Sequence, residues 1–459
     1  MRGTSQADLK LEPPGRPQYP FSVGHRDILH IALPASVAFI TEPVAGLVDI
    51  IVIGRLGDAG LLGGLVLGAL AFDVLFSLAS FLRIGTAGLV AQAVGAKDAR
   101  DGLLHVSRAV LLGAAIGIVM ILLAPALLWL GIGLLAPEPG AHAAFSKYFY
   151  WRIWSAPFAL VNFALLGWFY GRARTKTGMM LQMMLHGVDI ALSVVMVHWL
   201  GWGVPGAAIA TVIAQALATL LGTILLTRHY GGVAGPGRRL NLAELGHALA
   251  LDRMFGLSRD LMIRSAALMG AYAWFAAQGS RMGEVTLSAN AVLLNLLMVA
   301  GFFLDGIAQA AEQLTGKAVG ANWRPAFDRA YRLSMGWGLA LGLMLGAIWL
   351  ISGTALIGFI TTNADVRDLA VDYLPIAALA ALTFTPAFVL DGIMIGATLN
   401  GTMRNGMIAS LGVFLAAATL LQPALGNAGL WVALHCWFLA RGGIYWWALE
   451  RRRTSPFGG

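Results

Sequence analysis

Ala93-Val94-Gly95-Ala96 closes one long apolar stretch of this chain, and Ala318-Val319-Gly320-Ala321 closes another, 225 residues further on. Basic residues follow each: Lys97 and Arg100 after the first, Arg324 and Arg329 after the second. Pro157, Asn162 and Gly167 likewise match Pro386, Asp391 and Gly396 at an offset of 229. The same elements therefore recur at corresponding places in two halves of the chain. A duplicated half built from apolar stretches is the pattern of a transporter whose two bundles face each other across a cleft.

Composition points the same way. The 459 residues are 58% hydrophobic and 12% charged, about half the charge of an average soluble domain, and mean hydropathy is +0.75. This excludes a disordered chain, a nucleic-acid-binding arm and an ordinary soluble enzyme. It predicts an all-α polytopic membrane protein. Apolar stretches long enough to cross about 30 Å of hydrocarbon fall near residues 27–53, 61–92, 103–130, 147–171, 179–200 and 204–228. Six more fall near 258–280, 284–316, 328–352, 368–393, 400–422 and 427–449. With six spans per half the topology is conserved, so the repeat is parallel. The expected organisation is a tail over 1–25, a six-helix lobe over 26–228, a Gly- and Arg-rich linker over 229–257, a second lobe over 258–450 and a tail over 451–459.

If both termini are cytoplasmic, 23 of the 31 Lys and Arg residues fall in cytoplasmic segments and four on the opposite side; Arg83, Arg152, Arg264 and Arg441 lie within spans. That asymmetry predicts a bacterial-type inner-membrane orientation and accounts for the net charge of +8 without nucleic acid. No signal-peptide layout precedes the first span. One cysteine, Cys436, cannot form an intrachain disulfide, and with nine scattered histidines it offers no zinc pattern. Neither a metal nor a cofactor is expected. No phosphate-binding G-x-x-x-x-G-K-[ST] loop occurs, so energy comes from an ion gradient or transport is passive. No motif demands oligomerisation, so a monomer is expected.

A charge at a span centre costs at least about 2.5–3.5 kcal/mol and needs a reason. Glu42 and Asp49 in the first span are seven residues apart, two helical turns, and share a face at about 10 Å. Pro43 removes a backbone hydrogen bond between them and frees the carbonyl of Phe39, a plausible bistable kink. Burial penalises an ionised carboxyl and so favours uptake of a cation. The fifth span adds Asp189, with His186 and Ser193 one turn to either side. The fourth adds Arg152 and Asn162. The functional reading is a proton or cation site lined by spans one, four and five; the structural alternative is an Arg152–carboxylate pair that locks the bundle. His186 and His198 read as packed or interfacial histidines. In the second half, Asp305 and Glu312 share a face near the inner end of span eight, and Asp391 and Arg404 flank the inner end of span ten. These four read as structural or gating groups. Arg83 can snorkel inward, and Asp73 has no assignment.

These residues resemble a known family. Leu33-Pro34, Gly46-Leu47-Val48-Asp49 and Ile53-Gly54-Arg55-Leu56-Gly57 in span one carry the likeness, as do Gly85-Thr86-Ala87-Gly88-Leu89-Val90-Ala91-Gln92 in span two. So do Asp305-Gly306-Ile307-Ala308-Gln309-Ala310-Ala311-Glu312, Leu390-Asp391-Gly392 and Arg404-Asn405. Together they are similar to the multidrug and toxic compound extrusion family, in its DinF-like branch. The resemblance implies a twelve-helix, two-lobed antiporter that exports amphipathic, often cationic organic compounds against an inward flow of protons or sodium. It makes Asp49 the central coupling residue. The family's polar pair in span five, commonly Asn and Asp, falls on Asp189 and Ser193, and its span-six threonine falls on Thr211. This sequence departs in having the acid at the first position of that pair and an extra carboxylate at Glu42. A lipid flippase shares the bilobed architecture and is the alternative; it calls for a basic cleft, and the first lobe is acidic. An intramembrane enzyme would need a His–carboxylate motif that no span supplies.

Overall fold

The computed structural model describes residues 17–231 and 248–451. The rest of the two expected tails and of the linker lies outside the described residues. Among the described residues all regular structure is helical. In the first half, span one is His25–Gly54, span two Ala59–Gly95, span three Ala99–Leu122, span four Pro139–Gly171, span five Thr175–Trp199 and span six Gly203–Gly231. In the second, span seven is Ala248–Arg281, span eight Glu284–Gly320, span nine Arg324–Ile360, span ten Ala364–Gly396, span eleven Asn400–Leu425 and span twelve Asn427–Arg451. Ten of these are long and apolar enough to cross a membrane. Spans seven and twelve are more polar, with Arg264 in one and His435 and Arg441 in the other.

Local chemistry moves several boundaries from those expected. Helix continues at 229–231 and 248–257, inside the segment expected as linker. The expected third span over 103–130 is two helices: span three stops at Leu122, and a short apolar helix, Ala124–Leu135, restarts with Pro125 in its first turn, where a missing N–H costs nothing. Span two breaks at Ser80, whose hydroxyl donates to the carbonyl of Ser77 (2.7 Å). Spans four and ten break just before Pro157 and Pro386. Span one remains helical through both Pro34 and Pro43.

The repeat is visible in the backbone. Four non-glycine residues turn left-handed where spans two, four, eight and ten end: Lys97 (φ 57°), Ala173 (φ 56°), Asn322 (φ 49°) and Thr398 (φ 55°). Each costs about 1 kcal/mol or more and supplies the chain reversal that ends a helix. They pair at an offset of 225. So do close approaches of glycine to backbone: Gly167 on Arg83 and Gly392 on Ala308; Gly171 on Ala87 and Gly396 on Glu312. This corrects the 229 offset of the Pro-Asn-Gly match. The second segment of span ten, Thr385–Gly396, is four residues shorter than Ala156–Gly171 of span four. One turn of slip preserves the helix face, which is why the sequence match looked good at the wrong register.

Among the described residues, the two lobes share a core toward one end. Ile53, Leu65, Phe72, Phe145 and Phe149 form a core confined to the first lobe. Phe275, Leu293, Leu374, Trp431 and Trp437 form one confined to the second. Toward the end that carries residues 17 and 451, a third core mixes both: Ile28 and Leu82 pack with Leu261, Ile307, Leu314, Phe327 and Met394. There the two tetrapeptides meet. A Cβ on Gly95 would lie 2.7 Å from the amide nitrogen of Ala321 and collide with the carbonyl of Lys317; one on Gly320 would collide with the carbonyl of Gln92. Gln92 and Lys317 are themselves 225 residues apart, so the contact is reciprocal. Small residues allow such backbone approach between membrane helices. Polar bonds cross the same seam: Ser36 Oγ to the carbonyl of Phe303 (3.0 Å) and Gln92 Nε2 to the carbonyl of Gly396 (2.8 Å). The segment before span one lies across it, with the Tyr19 N–H donating to Ala321 (2.9 Å), Lys97 over the Tyr19 ring (4.5 Å) and Lys317 over the Phe21 ring (4.3 Å).

Candidate functional site

Span one packs against span five, span five against span six, and the outer segment of span four against span six. That packing gathers the polar groups of the first lobe. Asp49 is half-buried, and Asp189 is 5% exposed. Ser193, fully buried, faces Asp49, and Thr211 faces Asp189. The Thr211 hydroxyl donates to the carbonyl of Ala207 (3.2 Å); in that orientation its lone pairs can meet a protonated carboxyl or a shared cation, and it must turn to donate to an ionised Asp189. Immediately after Ser193 the helix of span five widens into a π turn, Val195–Trp199, a distortion that frequently marks functional sites. Arg152 and Tyr148, one turn apart on span four, lie within Coulombic reach of both carboxyls.

This site is under-bonded. Asp49 Oδ1, Asp189 Oδ1, Ser193 Oγ, Arg152 Nε and both ring nitrogens of His186 are buried with no hydrogen-bond partner. Buried polar atoms are nearly always satisfied, and what sets this cluster apart is that its open atoms include oxygens of two neighbouring carboxyls with no cation paired to them among the described residues. Two carboxylates and a hydroxyl offer oxygen lone pairs to a hard cation or a place for a proton. Arg152 does not lock either carboxylate in an ion pair; its guanidinium lies 5.8 Å from the Phe72 ring centre. Glu42 and Asp73 are both exposed and within Coulombic reach of each other, of Arg83 and of Arg152 in part. Asp73, unassigned from sequence, thus lies near Glu42, one on span two and the other on span one. Pro43, beside Glu42, is exposed too.

Asn162 is not part of this cluster. Its Nδ2 donates to Gln215 Oε1 (2.7 Å) and to the Gln215 carbonyl (3.1 Å), and its Oδ1 accepts from Thr219 (3.1 Å). It ties span four to span six. Asn162→Ala should therefore cost stability, about 1–3 kcal/mol for the buried partners left unmade, read as a lower Tm in detergent.

In the second lobe the central charges pair with one another, although Asp391 Oδ1, Arg264 Nε and Arg441 Nε and Nη1 are also buried without a hydrogen-bond partner. Asp391 Oδ2 accepts from Arg264 (2.6 Å) and, more closely still, from Arg441, whose side chain is completely buried. The Arg441 guanidinium also lies over the rings of Phe388 (5.6 Å) and Tyr445 (5.7 Å). Asp305 lies within reach of Arg83, Arg264 and Arg441. Arg404, expected with Asp391 to flank the inner end of span ten, binds Asp260 (2.6 Å) and Asn405 and so ties span eleven to span seven. Glu312 is 4% exposed with Oε1 unpartnered. Among the described residues no group of three or more His, Cys, Asp or Glu could hold a metal ion. The missed members, Tyr148 and the Arg264–Asp391–Arg441 triad, differ in legibility. Tyr148 stands one turn from Arg152 and could have been found. The triad joins residues 127 and 50 positions apart, which no local spacing reveals.

A helical, membrane-spanning chain with two repeated lobes joined toward one end and a buried polar cluster inside one lobe is a transporter, not an enzyme. The MatE family model matches residues 34–195 and 262–420, and the chain belongs to that family. It is 35% identical to the DNA damage-inducible protein F of Escherichia coli (strain K12), over 92% of this chain and 91% of that one. It is 22% identical to the multidrug export protein MepA of Staphylococcus aureus (strain MRSA252), over 87% of each. A solved structure described as the outward-facing conformation of a multidrug resistance MATE family transporter of the MOP superfamily superposes with a TM-score of 0.83 at 16% identity, covering 94% of this chain and 96% of that one.

Proposed function

We propose that this protein is a secondary antiporter that exports amphipathic, cationic organic compounds across a bacterial inner membrane by alternating access, driven by proton or sodium entry. The observation that carries the reading is the set of unpartnered oxygens on Asp49, Asp189 and Ser193. The joined end, with both termini, is cytoplasmic, and the two lobes divide at the linker around 229–257. With Asp49 and Asp189 ionised, the first lobe attracts a cationic substrate, helped by Glu42 and Asp73. An entering proton or sodium ion binds among Asp49, Asp189, Ser193 and Thr211, cancels that attraction and releases the substrate outward. Pro43 gives span one the weak point at which it bends. Asp305, Glu312, Asp391 and Arg404 hold or gate the second lobe. One charge crossing about 100 mV supplies about 2.3 kcal/mol; a monovalent cation exchanged for one proton cancels the voltage term and leaves the pH difference as the drive. The kinship to proteins named for multidrug export and resistance supports the substrate class.

The test is transport of a fluorescent organic cation into inverted vesicles or proteoliposomes under separately imposed pH and sodium gradients. Uptake by the wild type should follow one gradient and fall to background in Asp49→Asn. If Asp49→Asn still concentrates the cation, Asp49 is not the coupling residue. If the folded wild type answers neither gradient, the antiport reading fails and lipid substrates are the next to screen.

A further inference from the structure

Glu312 sits where the lobes are sealed together, and the fold does not need a carboxyl there. Its counterpart 225 residues earlier is Ala87, buried in the matching contact with Gly171. Span eight around Glu312 packs on span two through Ala91 and Gly316, and on span ten through Gly396. The neighbouring Gln313 donates across the seam to the carbonyl of Gly171 (3.5 Å). Glu312 is thus a carboxyl inside the closed seam with one oxygen lacking any donor.

The groups around it do not balance a negative charge. From span two, Arg83 faces it without pairing; that guanidinium lies 5.0 Å from the Phe39 ring centre and is shared with Glu42 and Asp305. From span ten, Asp391 is held by Arg264 and Arg441. From span four, Arg172 is turned onto the Trp168 and Tyr230 rings. Span one brings Ser36. Arg329 and Arg332 of span nine are exposed. On its own helix, Gln309 lies within hydrogen-bonding reach of one carboxyl oxygen, a neutral donor only, and Lys317 lies over Phe21. An ionised carboxylate left unpaired in such a place costs several kcal/mol.

We propose that Glu312 is a proton latch of the cytoplasmic gate: neutral while spans two and eight are sealed, and ionised once the seam opens to water. Closing the gate then takes one proton from the cytoplasm, and opening it returns that proton. The latch is separate from the Asp49 cluster, although it rests on the alternating-access reading above. It makes cytoplasmic pH a control on how readily the transporter leaves its cytoplasm-facing form.

The experiment uses the full chain with Cys436→Ser and spin labels at Ala99→Cys and Pro325→Cys, in the first turns of the helices that follow the two gate motifs. Distances are recorded in nanodiscs without substrate from about pH 5 to about pH 8, above the ordinary glutamate range. One linked proton changes the shut-to-open ratio by at most tenfold per pH unit, with the shut form favoured at low pH. The wild type should follow that trend, and Glu312→Gln should stay shut throughout. A pH-independent wild type, or a Glu312→Gln protein that tracks it, overturns the latch. Should Glu312→Gln fail to fold, labelling of the wild type by a hydrophobic carbodiimide, which modifies protonated buried carboxyls, decides: modification of Glu312 at low pH supports the proposal, and its absence refutes it. The same distances in Asp49→Asn separate the two readings, since the latch response should persist where coupled transport is lost.

Discussion

Asp391→Ala is expected to destabilise the second lobe by about 3–5 kcal/mol, the cost of removing one partner from a buried charge network. Arg264 and Arg441 share a single oxygen of Asp391, and neither has another acidic hydrogen-bond partner. Removing the carboxylate leaves two like charges facing each other in a site where Arg441 is completely enclosed. Asp305 lies in their Coulombic reach but makes no ion pair among the described residues. The measurement is thermal unfolding of purified protein in detergent. Its companion is the triple variant Arg264→Met, Asp391→Leu, Arg441→Met. Apolar replacement of a whole buried ion network is often neutral or stabilising, so the triple variant should recover most of the lost stability. If Asp391→Ala melts like the wild type, the triad does not hold the lobe together.

Gly320→Val should have the largest conformational effect. The new Cβ would overlap the carbonyl of Gln92 and lie 2.6 Å from its carbonyl carbon. Neither is the end of a flexible side chain, so the helices themselves must part. Gly95→Val should do the same from the other side, against Lys317 and Ala321. The expected result is a molecule held open at the termini end, seen as lengthened spin-label distances there, with little further change in the double variant because either obstruction suffices. Gly336→Val is the control, since its added atom meets nothing within 4 Å. A Gly320→Val protein whose termini end remains shut would show that the seam yields without opening.

Much of the architecture was legible because membrane spans are written in hydropathy, which needs no tertiary information. The same holds for Asp49 and Asp189, whose cost within a span singles them out. Partnerships were not legible. Arg404 stands near Asp391 along the chain but bonds to Asp260, while Asp391 draws its partners from spans seven and twelve. Asn162 looked like a cation ligand because an amide inside a span is rare; only the placement of Gln215 and Thr219 shows it as a tie between helices. The repeat register failed for a geometric reason, since a slip of four residues leaves every side chain on nearly the same face.

The seam between the lobes is self-complementary. Gly95 meets Lys317, and Gly320 meets Gln92, as equivalent patches do across the two-fold axis of a homodimer. The two lobes, produced as separate polypeptides, would still carry the surface by which to find each other.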